Sequence, residues 1–484
     1  MSVFAANQPR LNHDILLAVM TFCDKFTISR MLRTCSALSR HGARLLLNDT
    51  VNINDANALD SLCQFLRADN FSRMRHFRDL ALRMDEKMPR PVARQLAEIL
   101  GRSTHLDTLT LTEAEPILQS HDPAIATAIA SLTSLRTLVL CGAEELSRNM
   151  MLMLQSPLEE VRFEYDPHGD APFDEMLEPD ELPQYHPLFL CQNFAASLRD
   201  LDCRFASPHT GFTYPQLPMY PNLCCLTLQD DWPVLRPWIA SCPNLTELSS
   251  TTHHEVWVAE DEDDDQDINP EWEELRQRNL DDQVAHGTWT HLEEYSGNVV
   301  PLYILGLTCR IPSITIDEDV KSHHVGMLRT ILAEAKPKSL GMCMTGSLDD
   351  LGDSEYGIAA LLMLEGCSEI ETLELSLDLQ RWDTFDFQGL TVHLLDALPH
   401  LPALKLLDVD ISGPQKRSQQ SVQAATQESS ADEDVDIAGF GRRAMGIAPV
   451  LTKVKVGVWY SQPWRKGRFV RVTKTGERIA VFSK

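Results

Sequence analysis

LDTLTL (106–111), flanked by FRDLAL (77–82) and LRTLVL (135–140), is the stretch on which the architecture of this 484-residue chain turns. The three segments begin 29 residues apart, each with an apolar residue at its first, fourth and sixth positions. Their second halves place leucines two apart, which predicts a strand with one buried face. LEEVRF (158–163), LRDLDC (198–203), LCCLTL (223–228), LTELSS (245–250), IETLEL (370–375) and LKLLDV (404–409) continue the series. Weaker units start at Leu292, Ile311 and Leu340. Between them lie PVARQLAEIL (91–100), AIATAIASL (124–132) and IAALLMLEGC (358–367), all with helical spacing.

A strand-plus-helix unit of this length cannot bury its own leucines, whereas a stack of such units makes a continuous core. The rhythm is that of leucine-rich repeats. It predicts an α/β chain: an irregular solenoid over 49–452 with a parallel sheet on its concave face, although an ordinary α/β fold with leucine-rich strands also fits. The gaps of 40 residues from Leu158 to Leu198 and 47 from Leu245 to Leu292 imply insertions. AEDEDDDQDINPEWEE (259–274) reads as a solvated acidic loop. GPQKRSQQSVQAATQESSADEDVD (413–436) reads as a disordered insertion, because it has almost no large apolar side chain to offset ordering. VKVGVWY (454–460) and RFVRVTKTGERIAVF (468–482) read as strands turning near Thr475–Gly476. They form a small basic β cap over 453–484.

Ahead of the repeats, residues 1–48 read as three short helices. Asn12 can cap the first, with Asp14 in its first turn. Ile15, Leu16, Val19 and Met20 then share a face. Thr27 can cap the second, where Ile28, Met31, Leu32, Cys35 and Leu38 follow helical spacing into a third helix ending near Leu47.

Charge narrows the partners. The net charge is −27, but residues 1–50 carry six basic and three acidic groups and residues 451–484 carry nine basic and one acidic. The acidic body repels phosphate backbones, which argues against nucleic acid. No window has the roughly 18 apolar residues of a membrane span, and the start lacks a signal peptide. The expectation is a cytoplasmic or nuclear protein that does not enter a membrane. The twelve cysteines make no CxxC pair and no zinc spacing, so no metal site is expected.

Catalytic motifs are not found. GxSxG, HExxH and GxxxxGK[ST] do not occur. GFGRRA (439–444) satisfies GxGxxG/A only in its letters, since no strand precedes it. Neither an enzyme activity nor a cofactor is expected. On the open face of the predicted sheet stand the residues alternating with the leucines: Thr108, Thr110, Thr137, Glu247, Thr372, Glu374, Asp408 and Asp410. Its acidic end, at Glu374, Asp408 and Asp410, is a candidate site for a client with a basic segment.

LNHDILLAVMTFCDKFTISRMLRTCSALSRHGARLLL (11–47) resembles a divergent F-box of the fungal kind. Leu11, Asp14, Ile15 and Leu16 match its Leu-Pro-acid-Ile-Leu opening, with Asn12 in place of the proline. Ile28, Met31, Leu32, Cys35 and Leu38 match its second half, but the usual aromatic residue after Cys35 is missing. SCPNLTEL (241–248) and EGCSEIETLEL (365–375) are similar to the cysteine-containing repeats of F-box proteins. The resemblance implies a substrate-recognition adaptor of a cullin-type ubiquitin ligase. Leu11, Asn12, Ile15, Leu16, Val19, Met20, Ile28, Met31 and Leu32 would dock on the Skp-family adaptor, and the repeats would hold a client near the charged enzyme. The alternative is a leucine-rich-repeat scaffold outside any ligase.

Overall fold

Where the L-x-x-L-x-L rhythm recurs, its second half forms a strand with the apolar residues turned inward. In the computed structural model, described for residues 13–84, 87–120, 123–165, 186–204, 217–229, 234–252, 269–320, 324–345, 358–378, 387–413, 436–460, 466–474 and 476–483, the chain is an α/β protein in which a largely parallel sheet alternates with helices. It divides into two compact units. One comprises Met1–Ala206 with Phe212–Leu223, the other Ser207–Gly211 with Cys224–Lys484.

The first unit opens with helices α1 (His13–Met20), α2 (Lys25–Leu32) and α3 (Ser36–Leu47). Six parallel strands follow in chain order: β1 (Val51–Ile53), β2 (Asp79–Arg83), β3 (Thr108–Thr112), β4 (Thr137–Ala143), β5 (Glu160–Tyr165) and β6 (Asp200–Arg204). Helices α4 (Ala56–Arg67), α5 (Arg90–Gly101), α6 (Ala114–Gln119), α7 (Ala124–Ala130), α8 (Glu145–Met153) and α9 (Pro187–Leu190) connect them. Register does the packing. Leu80, Leu109, Leu138, Val161 and Leu201 are cross-strand partners in one row, and all are buried. Each such side chain removed from water contributes about 1.5–3 kcal/mol, and stacking lets one unit's leucine bury the next.

A carboxylate ties neighbouring repeats together. Glu115, buried on α6, accepts hydrogen bonds from Leu146 N (2.8 Å), Ser147 N (3.2 Å) and Ser147 Oγ (2.9 Å). It thereby satisfies first-turn amides of α8 that have no intrahelical partner.

His186 caps α9, its Nδ1 accepting from Leu188 N at 3.2 Å. Burial holds its imidazole far below the usual value of 6.5, at about 3. As pH falls below 6.5 the unfolded chain takes up a proton that the native imidazole refuses. This group therefore removes about 1.4 kcal/mol of stability per pH unit down to its folded value. His186→Asn keeps a capping oxygen without that titration. Denaturant midpoints measured from pH 7 to pH 4 should fall less steeply in the variant than in the parent chain.

The second unit contains β7 (Cys225–Gln229), β8 (Glu247–Thr251), β9 (Glu294–Gly297), β10 (Ser313–Asp319), β11 (Ser339–Thr345), β12 (Thr372–Asp378), β13 (Leu406–Gly413) and β14 (Lys453–Tyr460), parallel in chain order. β15 (Lys466–Thr473) and β16 (Gly476–Ser483) then close the series antiparallel, as the hairpin read from the sequence. The buried row here runs through Leu226, Leu248, Tyr295, Ile314, Leu340, Leu373, Leu407, Val454 and Val472. The weak units at Leu292, Ile311 and Leu340 are thus strands too. Gly297, at φ +140°, lets β9 close on β8; a Cβ there would lie 1.9 Å from Ser250 O.

Helices α10 (Arg236–Ser241), α11 (Pro270–His286), α12 (Val299–Leu305), α13 (Val325–Ala335), α14 (Ile358–Leu362), α15 (Phe387–Ala397) and α16 (Ile437–Ile447) complete this unit. Two of them correct the sequence reading. The acidic stretch 259–274 is not a loop to its end, because residues 270–274 begin the 17-residue α11. The Asn269 side chain accepts from Glu271 N at 2.9 Å, Pro270 stands at the first turn, and Glu271 and Glu273 face the positive helix end. Residues 253–268 and 414–435 lie outside the described residues. GFGRRA lies inside α16, whose N-terminus is capped by Asp436 through Gly439 N at 2.6 Å. That carboxylate holds the place a phosphate would need.

Candidate protein-docking surfaces

The first candidate surface is the helical trio. Its second helix is capped by Asp24, not Thr27: Asp24 Oδ1 accepts from Thr27 N at 2.6 Å, so α2 starts three residues earlier than the sequence indicated. That hydrogen bond holds the Asp24 carboxyl below its usual range. Cys35 likewise sits at the start of α3 and is exposed, so the run from Ile28 to Leu38 is two helices and not one.

The trio builds a small core of its own. Met20, Ile28, Leu32 and Leu38 are buried together, with Leu16, Leu17, Met31, Leu45, Leu46 and Phe65 packed around them. Gly42 makes this possible, since a Cβ there would lie 2.3 Å from both Leu32 Cδ2 and Met20 Cε. Phe65 belongs to α4, so the same core fastens the trio to the first repeat. Arg73 adds a hydrogen bond to Ser39 Oγ at 3.1 Å and lies over the Phe65 ring.

What remains outside is apolar. Ile15 is 51% exposed, Val19 47%, Phe22 91% and Phe26 65%. Ile15 and Val19 stand one turn apart on α1, Phe22 lies in the turn that follows, closed by Phe22 N→Val19 O and Cys23 N→Met20 O, and Phe26 opens α2. Of the eleven large hydrophobic side chains exposed among the described residues, four fall in these twelve positions. The other seven are spread from Met153 to Val450, so exposed apolar surface concentrates here among the described residues, which makes it the candidate docking surface. Arg30 lies 4.4 Å over the Phe26 ring.

Of the residues singled out for adaptor docking, Ile15 and Val19 are therefore presented. Leu16 and Met31 are half-buried against the trio's core. Met20, Ile28 and Leu32 are withdrawn from the surface, because burying them is what holds three short helices together. Leu11 and Asn12 lie outside the described residues. Phe22 and Phe26 were not picked out in the sequence. Helical periodicity selects the residues that turn inward, whereas Phe22 lies in the turn between α1 and α2 and Phe26 points outward from the first turn of α2.

The second candidate is, in each unit taken by itself, the sheet face between the buried rows. Thr108, Thr110, Thr137, Glu247, Thr372, Glu374, Asp408 and Asp410 all lie on it and are half-exposed or exposed. In the first unit this face carries a balanced cluster. Arg162 pairs with Asp202 (3.4 Å) and Glu164 (3.6 Å), and Arg204 with Asp202 (3.3 Å). In the second unit Glu374, Asp408, Lys455, Arg471 and Arg478 occupy one register row. Asp408 is paired with Lys455, and Asp410 Oδ1 accepts from Trp459 Nε1 at 3.3 Å. Of the three acids read as a client site, Glu374 alone is left with neither an ion pair nor a hydrogen bond among the described residues. Lys455 and Trp459 of the next strand, which the sequence reading had assigned to a cap, answer the other two acids.

Thiol chemistry is suppressed at the buried cysteines. Burial pushes Cys63 and Cys141 up to about 11 and Cys367 to about 12, and raises Cys191 and Cys242 further. Such thiols are packing groups at neutral pH. Cys242 and Cys367 are buried, and each ends a helical turn ahead of a strand. Among the described residues no cluster of three metal-ligating side chains occurs, and no helix is long and apolar enough to cross a membrane.

No family model matches the chain, and no curated protein matches it.

Proposed function

We propose that this chain is a substrate-recognition adaptor of a cullin-type ubiquitin ligase. In this reading residues 1–48 act as an F-box that docks on a Skp-family adaptor. The stacked units form a leucine-rich-repeat solenoid that holds a client on its open sheet face. The chain performs no bond chemistry and contributes proximity.

The reading is carried by the exposed Ile15, Val19, Phe22 and Phe26 on a helical trio that has already buried a core of its own. A trio serving only as an end cap has no use for two exposed phenylalanines. The Leu11–Leu47 resemblance supplies the identity of the partner, and the repeats that follow in chain order supply the client arm.

The rival is a repeat scaffold outside any ligase, with the trio closing the first repeat. The packing of Phe65 into the trio favours that role for its inner side. Co-expression with a Skp-family adaptor separates the two. Stoichiometric co-purification is expected, and separate elution on gel filtration would leave the scaffold.

A further inference from the structure

The charge row of the second unit changes sign partway along. On β12 and β13 it carries Glu374 and Asp408; on β14, β15 and β16 it carries Lys455, Arg471 and Arg478. Directly opposed residues share a face and stand about 5 Å apart, so these groups form a line across the strands. Lys453, two residues before Lys455, adds a fourth cation on the same face. Among the described residues, the only carboxylate paired with any of the four is Asp408, which takes Lys455. Lys453, Arg471 and Arg478 have no ion-pair partner among the described residues. Desolvation first, and then the neighbouring Lys455 and Arg471 charges, lower the Lys453 ammonium below its usual range, against the opposing pull of Asp408 and Glu374.

Beside the cations the face turns apolar. Trp459 and Phe469 are half-buried there. Gly457 leaves the gap that the indole needs, since a Cβ would lie 2.1 Å from Asp410 Oδ1 and 2.9 Å from Trp459 Nε1. The hydrogen bond from that indole leaves Asp410 charged, but on β14–β16 themselves the charges this face presents among the described residues, Lys453, Lys455, Arg471 and Arg478, are all positive.

We propose that the β14–β16 face is the client-binding patch and that it takes a short acidic polypeptide segment, its carboxylates on Lys453, Arg471 and Arg478 and an apolar side chain beside Trp459 and Phe469. This rests on the adaptor reading for the word client, and it reverses the basic client suggested by the acids alone. A peptide fits better than a nucleic acid. The three strands span only about 10 Å, and a longer polyanion would run onto Glu374 and the acidic body of a chain of net charge −27.

The test is fluorescence anisotropy with the full chain and three labelled probes: a glutamate-rich peptide of about eight residues containing one tryptophan, a lysine-rich counterpart, and an oligothymidine. The acidic peptide should bind most tightly and lose affinity with salt. Arg471→Glu with Arg478→Glu should weaken it by about tenfold or more. If that variant melts earlier than the parent, Arg471→Gln with Arg478→Gln replaces it, with a loss of about threefold expected. Ile15→Asp with Phe22→Asp should leave peptide binding unchanged, so failure of adaptor docking and failure of this patch are read separately. No binding of the acidic peptide, equal binding by the arginine variants, or tighter binding of either other probe would overturn the proposal.

Discussion

Ile15→Asp combined with Phe22→Asp is expected to abolish co-purification with the Skp-family adaptor while leaving the thermal melt of the chain unchanged. Both side chains are more than half exposed, so neither substitution buries a charge in the free protein. In a complex they would be central apolar anchors, and truncating such an anchor costs about 2–4 kcal/mol. Two together, with aspartates desolvated at the contact, weaken binding by well over about 100-fold. The choice of positions matters. Leu16 packs on Met20 and its neighbours, so an aspartate there would disturb the trio itself and confound folding with binding. Met20→Ala is the complementary control: it should destabilise the trio by about 2–5 kcal/mol without removing any of the four exposed residues. An Ile15/Phe22 double variant that still binds at parental strength would sink the docking surface.

Arg276→Ala should lower the stability of the second unit by about 3 kcal/mol, read as a shift of its urea midpoint at unchanged slope. Arg276 lies on the inner side of α11, only 5% of its side chain exposed. Its NH1 donates to Tyr303 O at 2.6 Å, and its NH2 donates to both Glu334 oxygens at 2.7 Å. The guanidinium also lies 4.5 Å from the centre of the Tyr303 ring. One side chain therefore joins α11, α12 and α13. Removing it leaves the Tyr303 carbonyl buried without its donor and Glu334 without its cation. Glu334 is 37% exposed and can turn to water, which places the loss at the lower end of the range for a broken buried pair. Burial and the hydrogen bond from its hydroxyl to Glu273 push Tyr303 up to about 12, so this phenol stays protonated throughout such a titration. Glu334→Gln should cost less, because the amide oxygen still accepts one guanidinium bond. A midpoint unchanged in Arg276→Ala would show that the α11–α13 junction does not depend on this arginine.

The polar face of α11 explains why its extent escaped the sequence reading. Arg276, Asn279 and Gln283 lie on one side of the helix, where apolar residues would ordinarily signal burial. They are buried nonetheless, because the carboxy-terminal carbonyls of α12 need donors. Asn279 Nδ2 reaches Ile304 O at 3.0 Å, and Gln283 Nε2 reaches Gly306 O at 2.8 Å. A helix whose inner face is matched to another helix's end carries no period of its own for hydrophobicity to reveal.

The sequence by itself determined the strands and their inward side. Leucine at alternate positions, repeated at intervals, allows one solution in which rows such as Leu80–Leu109–Leu138 align and exclude water. It also determined the terminal hairpin and three helices ahead of the first strand, since turn residues and spacing act locally. Tertiary structure alone decided which apolar residues of those helices are left over. Ile15 and Met20 look alike in a sequence, and only the close approach at Gly42 and the arrival of Phe65 choose Met20 for the core. Tertiary structure also decided the sign of the free charge on the sheet, because Asp408 meets Lys455 across 47 residues of chain. Hydrophobic alternation is a property of neighbours along the chain, whereas exposure and charge pairing depend on what packs alongside.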